Sequence, residues 1–431
     1  MMAVLVVGAT GFIGRHLVRE LRMSERPIVV QGRSSALLDR LFPDCRRHAL
    51  DLAAATPRAW RPVLEDVGTA ILAAGIMGEQ HSDTYAAIHE RAIETLLKAA
   101  AGSHLRRIVL ISAAGADQSP STYARSKLAA ERQIETAGRR GLLTDWAVIR
   151  PSVVLGRGGA SDGLFRGLAA LPVSMSISGD PGLLRPVHVS DLASMTTRLV
   201  TSGEMSRQTF EAAGPENLTV AAIVARYRAA FGLAPAPTLH IGLGLLIALA
   251  RAASLAGAPA PLHPEPVRLL AASSPVDGQA LAASTGIQPR AVAQTLRNEM
   301  TRADLAEARL MFLGLAARLA LAILWLWSGL LSISPWATPD GLQLLAQIGL
   351  HGAPARVTLY GASALDVLIG FALLRNWRPR WVGLGQLALI GSYTILLTLL
   401  APVWWLHPFA PIAKNLPILV LILIVMGREG R

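Results

Sequence analysis

Over residues 1–300, short apolar runs alternate with helical stretches. The runs are Ala3 to Val7, Ile28 to Val30, Thr69 to Ala73, Ile108 to Ser112 and Ala147 to Ile149. Within Phe12 to Leu21, the residues Ile13, Leu17 and Leu21 recur at i, i+4 and i+8. From Tyr85 to Ala101, the residues Ile88, Ala92, Leu96 and Ala99 share one helical face. Strands separated by helices pair in parallel through right-handed crossovers, so the pattern predicts a doubly wound α/β sheet. Residues 156–300 are richer in Pro and Gly and less regular, and a small substrate lobe is expected there. The apolar segment Leu239 to Leu255, interrupted by Gly242, Gly244 and Arg251, is too short for a secure span and reads as a buried or interfacial helix.

After Arg309 the pattern changes to four apolar stretches, 311–331, 357–374, 381–400 and 409–426. Each is near the ~20 residues that cross a ~30 Å hydrocarbon layer, so residues 301–431 are expected to form an all-α, four-helix transmembrane domain. Arg302, Arg309, Arg375, Arg378, Arg380, Arg428 and Arg431 fall at one set of ends, against Arg356 and Lys414 at the other. That bias predicts both termini, and the Arg375 to Arg380 loop, on the cytoplasmic side of the inner membrane. Trp336, Trp404 and Trp405 on the outer side and Trp377 and Trp381 on the inner side fit interfacial belts. Arg318 and Asp366 fall at similar depth in the first two spans, and an ion pair between them is expected, with Lys414 as the competing partner of Asp366.

Composition agrees with this division. Of 431 residues, 52% are hydrophobic and 16% charged, too apolar for an ordinary soluble chain. The net charge of +12 comes from 41 Lys and Arg spread along the length without a dense run, so anionic headgroups explain it and no nucleic acid is expected. Cys45 is the only cysteine, which suits a reduced compartment and leaves no thiolate metal site; no metal is expected. Met1 leads directly into the first apolar run with no cleavage signal, so the amino-terminal part is expected to stay on the side of synthesis.

Gly8-Ala9-Thr10-Gly11-Phe12-Ile13-Gly14 joins the first strand to the first helix. Gly8 permits the tight exit, Gly11 lets the backbone approach a pyrophosphate, and Gly14 lets the helix pack on the sheet, as in a Rossmann-type dinucleotide fold. The amides at the helix start then face the phosphates. About 20 residues on, where an acid would hold a ribose 2′-hydroxyl, the chain has Gln31-Gly32-Arg33-Ser34. Arg33, with Arg15 in support, points to NADP, with NAD the alternative; the competing reading of Arg33 is a solvated surface residue.

Tyr123-Ala124-Arg125-Ser126-Lys127 places a phenol and an ammonium four residues apart on one helical face. A nearby ammonium is expected to lower the tyrosine pKa and make the phenol usable as acid or base, and the lysine can also hold a ribose. With the glycine turn, Asp51-Leu52, Ala73-Ala74-Gly75, Ile111-Ser112-Ala113-Ala114-Gly115, Arg150-Pro151-Ser152 and Arg185-Pro186-Val187-His188-Val189-Ser190-Asp191, the chain resembles the short-chain dehydrogenase/reductase superfamily, specifically its extended and atypical epimerase/dehydratase-like members. The carboxy-terminal part resembles the DoxX-like membrane family, on hydropathy and Lys414-Asn415-Leu416-Pro417.

The resemblance implies Asp51 and Leu52 near the adenine, and Ala73, Ala74 and Gly75 along the cofactor. It implies Tyr123 as proton donor or acceptor, Lys127 on the nicotinamide ribose, and Pro151 and Ser152 beside the nicotinamide. One position departs from it. Ala114 stands where the extended members carry a substrate-orienting serine, and Ser112, on the same face of an extended strand, is expected to substitute in part. The expected activity is hydride transfer to or from a carbonyl or hydroxyl carbon of a small, lipid-like or quinone-related substrate. Nucleotide-sugar epimerisation or dehydration is the alternative within enzymes. A cofactor-holding scaffold, like the complex I accessory subunit of the superfamily, is the alternative outside them. The oligomeric state is not readable.

Overall fold

Seven parallel strands make the central sheet: β1 (Ala3–Val7), β2 (Ile28–Gly32), β3 (Arg46–Ala49), β4 (Val67–Leu72), β5 (Arg107–Ile111), β6 (Asp145–Pro151) and β7 (Gln208–Ala212). Their order across the sheet is β7-β6-β5-β4-β1-β2-β3. The computed structural model describes residues 2–429 apart from 80, 81, 120, 179–181, 203–206, 256, 258–261, 272, 274 and 409. Strand β1 is buried along its whole length, as a central parallel strand covered on both faces must be. Its alternate residues feed two cores: Val4 and Val6 join Leu17 and Leu192, whereas Leu5 and Val7 join Trp60 and Ile134. Two strands carry no apolar run in the sequence. Edge strand β3 is Arg-Arg-His-Ala, and such polar residues suit an edge.

The chain order reverses between β1 and β4, both hydrogen-bonded neighbours in register, Val7 opposite Gln31 of β2 and Leu72 of β4. This reversal opens a crevice at the carboxyl ends of the strands, the usual ligand position in such sheets. Helix α1 (Phe12–Leu21) starts there, and α2 (Thr122–Arg139) follows β5. The predicted helix from Tyr85 begins instead with a π-helical turn, Ala86–Arg91, before the α-helical Ala92–Ala100. The wider turn brings Ile88 and His89 inward together. The lobe is built on α3 (Ala160–Ala170), with Phe165 and Tyr227 in its core. The chain then runs through α4 (Leu243–Leu255) and returns to the lobe with α5 (Pro264–Ala271).

The chain divides into two compact units, residues 1–248 with 260–305, and residues 249–259 with 306–431. The second is helical: α6 (Arg302–Ser332), whose first turn belongs to the first unit, then α7 (Thr338–Gln347), α8 (Gly352–Leu374), α9 (Pro379–Leu400) and α10 (Asn415–Glu429). Helices α6, α8 and α9 are long and apolar enough to cross a membrane. The stretch expected as a fourth span is helical only from Asn415, its start delayed by the turn through Pro411; Phe409 and Arg431 lie outside the described residues. At ~1.5 Å per residue, its 15 residues reach about 22 Å, short of a ~30 Å layer. Trp325 Nε1 donates to Gln386 Oε1 at 2.9 Å in the helical core.

The expected Arg318–Asp366 pair does not form. Helices α6 and α8 run antiparallel and touch at glycines: a Cβ on Gly329 would meet the Ser363 carbonyl at 2.7 Å, and one on Gly370 the Leu326 side chain at 2.6 Å. That register sets Asp366 beside Ser328, whose hydroxyl donates to Oδ2 at 3.0 Å. Arg318 stands ten residues earlier on α6, roughly 15 Å away, near Gly257 and level with the end of α8. The depths inferred from hydropathy took α6 to start at Met311, whereas the helix begins at Arg302. Among the described ion pairs, Lys414 does not reach Asp366 either.

A Cβ on Gly14 would fall 2.2 Å from the Gly8 carbonyl oxygen and 2.8 Å from the Ala9 Cα, both backbone atoms that cannot yield. Gly14→Val is therefore expected to cost about 3 kcal/mol or more of stability, read as a lower midpoint in thermal unfolding of the detergent-solubilised chain. A midpoint equal to wild type would show that the strand–helix junction is not packed this way.

Candidate active site

The turn after β1 brings its own strain. Gly8 has φ +77°, and a Cβ there would lie 2.8 Å from the Ala74 backbone, so only glycine fits. Gln31, 1% exposed, closes the turn from beneath: its Oε1 accepts from Gly8 N at 3.0 Å while its Nε2 donates to Leu50 O at 2.6 Å. Helix α1 has Gly11 at its cap position and no capping side chain, so its first-turn amides remain available to a ligand.

A cavity of about 720 Å³ runs from this turn into the lobe. Its wall holds Gly8, Thr10, Gly11, Phe12, Ile13, Arg33, Leu52, Ala73, Ala74 and Gly75 at one end. Ser112, Tyr123, Lys127, Pro151 and Ser152 stand in the middle. The far arm is formed by Met77, Leu164, Leu184, Pro266, Leu269 and Leu270. Among the described residues, Arg33 at the nucleotide end and Lys127 in the middle are the charged side chains of the wall. Gly14 and Asp51 are not in the wall. Gly14 packs behind the turn, and Asp51 caps the following turn by accepting from Ala53 N at 3.1 Å.

Arg33 is 60% exposed and already paired: Nη2 lies 2.6 Å from Asp83 Oδ2 and Nε 3.9 Å from Asp51 Oδ1. The pair with Asp83 raises the guanidinium pKa. A phosphate arriving here competes with a carboxylate rather than meeting an uncommitted cation.

Tyr123 and Lys127 are brought together by the first two turns of α2, capped by Ser121, which accepts from Ala124 N at 3.0 Å. Tyr123 is half-buried, edge-on to Tyr85 and to His89 with ring centres 5.7 and 5.8 Å apart. Lys127 is buried, its Nζ donating to Ile111 O at 3.2 Å, beside Gly75, where a Cβ would stand 3.2 Å from Nζ. The expected lowering of the phenol by this lysine is not found. Burial, helped by Tyr85, pushes Tyr123 up to about 12, because the phenolate would lose its hydration. Burial also brings Lys127 down to about 8, opposed by Glu131 one turn along. At neutral pH the phenol keeps its proton and is a donor.

Ser112 is not placed to substitute for Ala114. Strand β5 ends at Ile111, so the alternation that would give the two residues a common face stops before them. The Ser112 hydroxyl instead donates to Glu131 Oε1. Glu131, 1% exposed, is also held by Arg150 through Nε at 3.1 Å and Nη2 at 2.7 Å, and Arg150 Nη1 reaches Asp117 at 2.7 Å.

Three further residues were not singled out by the sequence. Gln31 was read only as a missing carboxylate. Glu131 sits one helical turn from Lys127, the available signal for a charge partner. His89 is 2% exposed, accepts from Ile76 N at 3.2 Å through Nε2 and donates from Nδ1 to Ser126 Oγ at 2.9 Å, the tautomer that lets Ser126 donate to Tyr123 O at 2.7 Å. Burial, with Lys127 nearby, holds His89 down to about 2, so it is neutral.

Residues 8–164 match the NAD(P)H-binding family, and residues 322–423 match the DoxX-like family. The chain carries an NAD(P)H-binding domain followed by a DoxX-like domain. The ceramide reductase of Caulobacter vibrioides is 29% identical over 195 residues, 44% of this chain and 58% of that protein. Subunit 9 of the mitochondrial NADH dehydrogenase [ubiquinone] 1 alpha subcomplex of Arabidopsis thaliana is 27% identical over 235 residues, 50% and 54% of the two chains. This chain thus spans somewhat over half the length of these relatives. Among solved structures, the NADPH-dependent quinone oxidoreductase of Escherichia coli complexed with NADPH superposes with a TM-score of 0.55 at 18% identity, covering 68% of this chain and 99% of that one. The UDP-glucose 4-epimerase of Thermus thermophilus in complex with NAD gives 0.53 at 20% identity, covering 72% and 99%. These likenesses show the fold. The reductase relatives and the NAD(P)H-binding domain support an oxidoreductase with a nicotinamide cofactor, and the DoxX-like domain with the three long apolar helices among the described residues supports a membrane protein.

Lys127 is protonated in the unfolded chain up to about pH 10.5 but in the folded chain only to about 8. The unfolded state therefore binds the extra proton between those values, and wild-type stability rises with pH across that window. Lys127→Met removes the buried charge and is expected to stabilise the chain by roughly 1–2 kcal/mol at pH 7. The advantage should shrink as pH rises from about 8 toward 10.5. Paired unfolding curves at pH 7 and pH 10 check this; a gain that is the same at both would rule out the titration of Lys127 as its cause.

Proposed function

We propose that the chain is a membrane-anchored reductase of the short-chain dehydrogenase/reductase type, using NADPH in preference to NADH, that reduces a carbonyl carbon on a lipid-like substrate. The observation that carries this reading is the cavity itself. Arg33 stands at the nucleotide end, Tyr123 and Lys127 in the middle, and the far arm is mostly aliphatic with no charged side chain among the described residues. A nucleotide-sugar substrate would need cations for its diphosphate in the far arm, where the described wall is mostly aliphatic, with Ser161 and Ser273 but no charged side chain. The ceramide named for one of the similar proteins is a long-chain lipid, in keeping with such an arm.

The glycine turn and the first-turn amides of α1 would receive the pyrophosphate, Arg33 the 2′-phosphate, Lys127 the nicotinamide ribose, and Pro151 and Ser152 the ring. A nicotinamide held there would supply hydride for the carbonyl carbon. Tyr123, protonated at neutral pH, donates its hydroxyl proton to the carbonyl oxygen, and the surrounding apolar wall keeps bulk water from that oxygen. Neutral His89 and Ser126 hold the Tyr123 backbone without adding charge. The arginine bias at the helix ends favours the nucleotide domain and both termini on the cytoplasmic side.

One observation favours a scaffold that holds the cofactor without turnover: Ser112 is committed to Glu131, and Ala114 offers no hydroxyl. Tyr123→Phe separates the two readings. With a long-chain 3-keto substrate in mixed micelles, turnover should fall 10²–10⁴-fold while the NADPH dissociation constant stays within about twofold. Unchanged turnover would remove Tyr123 from the chemistry, and no turnover in wild type with any long-chain carbonyl compound would leave the scaffold.

Cofactor choice has its own test. Arg33→Ala should weaken NADPH at least about tenfold and NADH less than about twofold in fluorescence titrations. Asp83→Asn, by releasing Arg33 from its carboxylate, should tighten NADPH. Equal losses for the two cofactors on Arg33→Ala would overturn the NADP assignment.

A further inference from the structure

Helix α4 lacks the packed stripe that holds a soluble helix in place. Of Leu243–Leu255 only Ala250 is buried. Leu245, Leu249 and Leu255 are 60%, 52% and 80% exposed, and Leu239 on the strand before it 55%. From Leu239 to Leu255 the single formal charge is Arg251, and no acid occurs. An apolar helix of this kind needs a cover, because contiguous aliphatic surface of that extent is not left in water. Its 13 residues reach about 20 Å, too short to cross a bilayer.

The residues that follow say what the cover is. Residues 249–259 belong to the same compact unit as the membrane-type helices. Within that unit Gly257, at φ +65°, lies against the Asn376 Cβ and the Leu374 carbonyl, at 3.4 and 3.7 Å from where its Cβ would be. Asn376 lies in the connection from α8 to α9, and Arg378 in that connection and Arg380 in the first turn of α9 fall between Trp377 and Trp381, 58% and 70% exposed. Tryptophan with arginine at the ends of apolar helices marks the level of lipid headgroups. The end of α4 is thus fixed at that level.

We infer that α4 is an interfacial helix, seated in the headgroup–acyl boundary of the leaflet that meets the α8–α9 connection. Leu245, Leu249 and Leu255 enter the acyl region, and Arg251 extends to lipid phosphates. A second copy of the chain is the rival cover, but it would bury Arg251 against an apolar face that brings no acid to it. The seat does not depend on what the cavity binds.

The test uses the full chain reconstituted in vesicles of zwitterionic and anionic phospholipid. Leu245→Cys and Leu249→Cys, made singly, carry a polarity-sensitive thiol probe. Met23→Cys, 84% exposed on the nucleotide-binding unit, is the aqueous control. Wild type treated with the same reagent is the blank for Cys45, which is buried. Because both leucines are exposed, replacement leaves the packing intact, and unchanged melting of the variants verifies this. Lipids spin-labelled on the acyl chain are expected to quench the probes at 245 and 249 at least about threefold more than at 23, with iodide quenching reduced by a similar factor. Iodide access equal to the control would overturn the proposal. Shielding from iodide without quenching by labelled lipid would overturn it too, placing a second protein copy on the helix.

Discussion

One buried carboxylate holds the candidate site in register. Glu131 lies two turns beyond Tyr123 and one beyond Lys127 on the same helix, and both of its oxygens are taken by Arg150, with the Ser112 hydroxyl on Oε1. Arg150 comes from β6 and Ser112 from the end of β5, so the pair ties α2 to the carboxyl edge of the sheet at two adjacent strands. Such a pair need not add much net stability, since desolvation offsets most of its attraction, but removing either partner strands a charge in the interior. Its value here is positional. A helix rotated by one residue would take Tyr123 out of the cavity and leave Glu131 without Arg150, so the ion pair and the reactive phenol select the same register.

The same burial sets the electrostatics. Tyr123 is pushed up to about 12, Lys127 down to about 8 and His89 down to about 2, each by loss of hydration before any neighbour is considered. The middle of the cavity therefore carries a neutral phenol and an ammonium that is only just held, with a neutral imidazole buried behind them. A site of this kind is matched to a substrate that brings no charge of its own. The aliphatic far arm makes the same demand from the other side, and the two observations are independent, one arising from helix α2 and the other from the lobe.

What could be read from the sequence followed the range of the interactions. Strand β1, the glycine turn and α1 are contiguous, and their period and steric needs are written in twenty residues, so that element appears with the boundaries expected. Strand β3 was invisible to an apolar-run reading because an edge strand is exposed and polar. The π-helical turn at Ala86–Arg91 breaks the 3.6 period from within, and brought His89 inward where periodicity alone gave it no role. Ser112 was misjudged because its partner lies 19 residues away and the strand stops one residue short of it. The Arg318–Asp366 pair failed for a related reason: hydropathy locates apolar stretches but not the glycines, Gly329 and Gly370, that slide one helix against the other.

Helix α4 shows the limit of periodicity from the opposite direction. Its sequence is apolar around nearly the whole circumference, a pattern that fits a buried helix and a lipid-seated one equally well, and only exposure distinguishes them. Once the exposure is known, length excludes a span, and the contact of Gly257 with the start of the α8–α9 connection fixes the level at which the helix ends. The glycine is favoured there by its positive φ, while the space beside it leaves only ordinary contact with Asn376. A residue that looks like ordinary loop punctuation in the sequence therefore decides where a hydrophobic helix sits, and the decision passes through backbone geometry rather than through hydrophobicity.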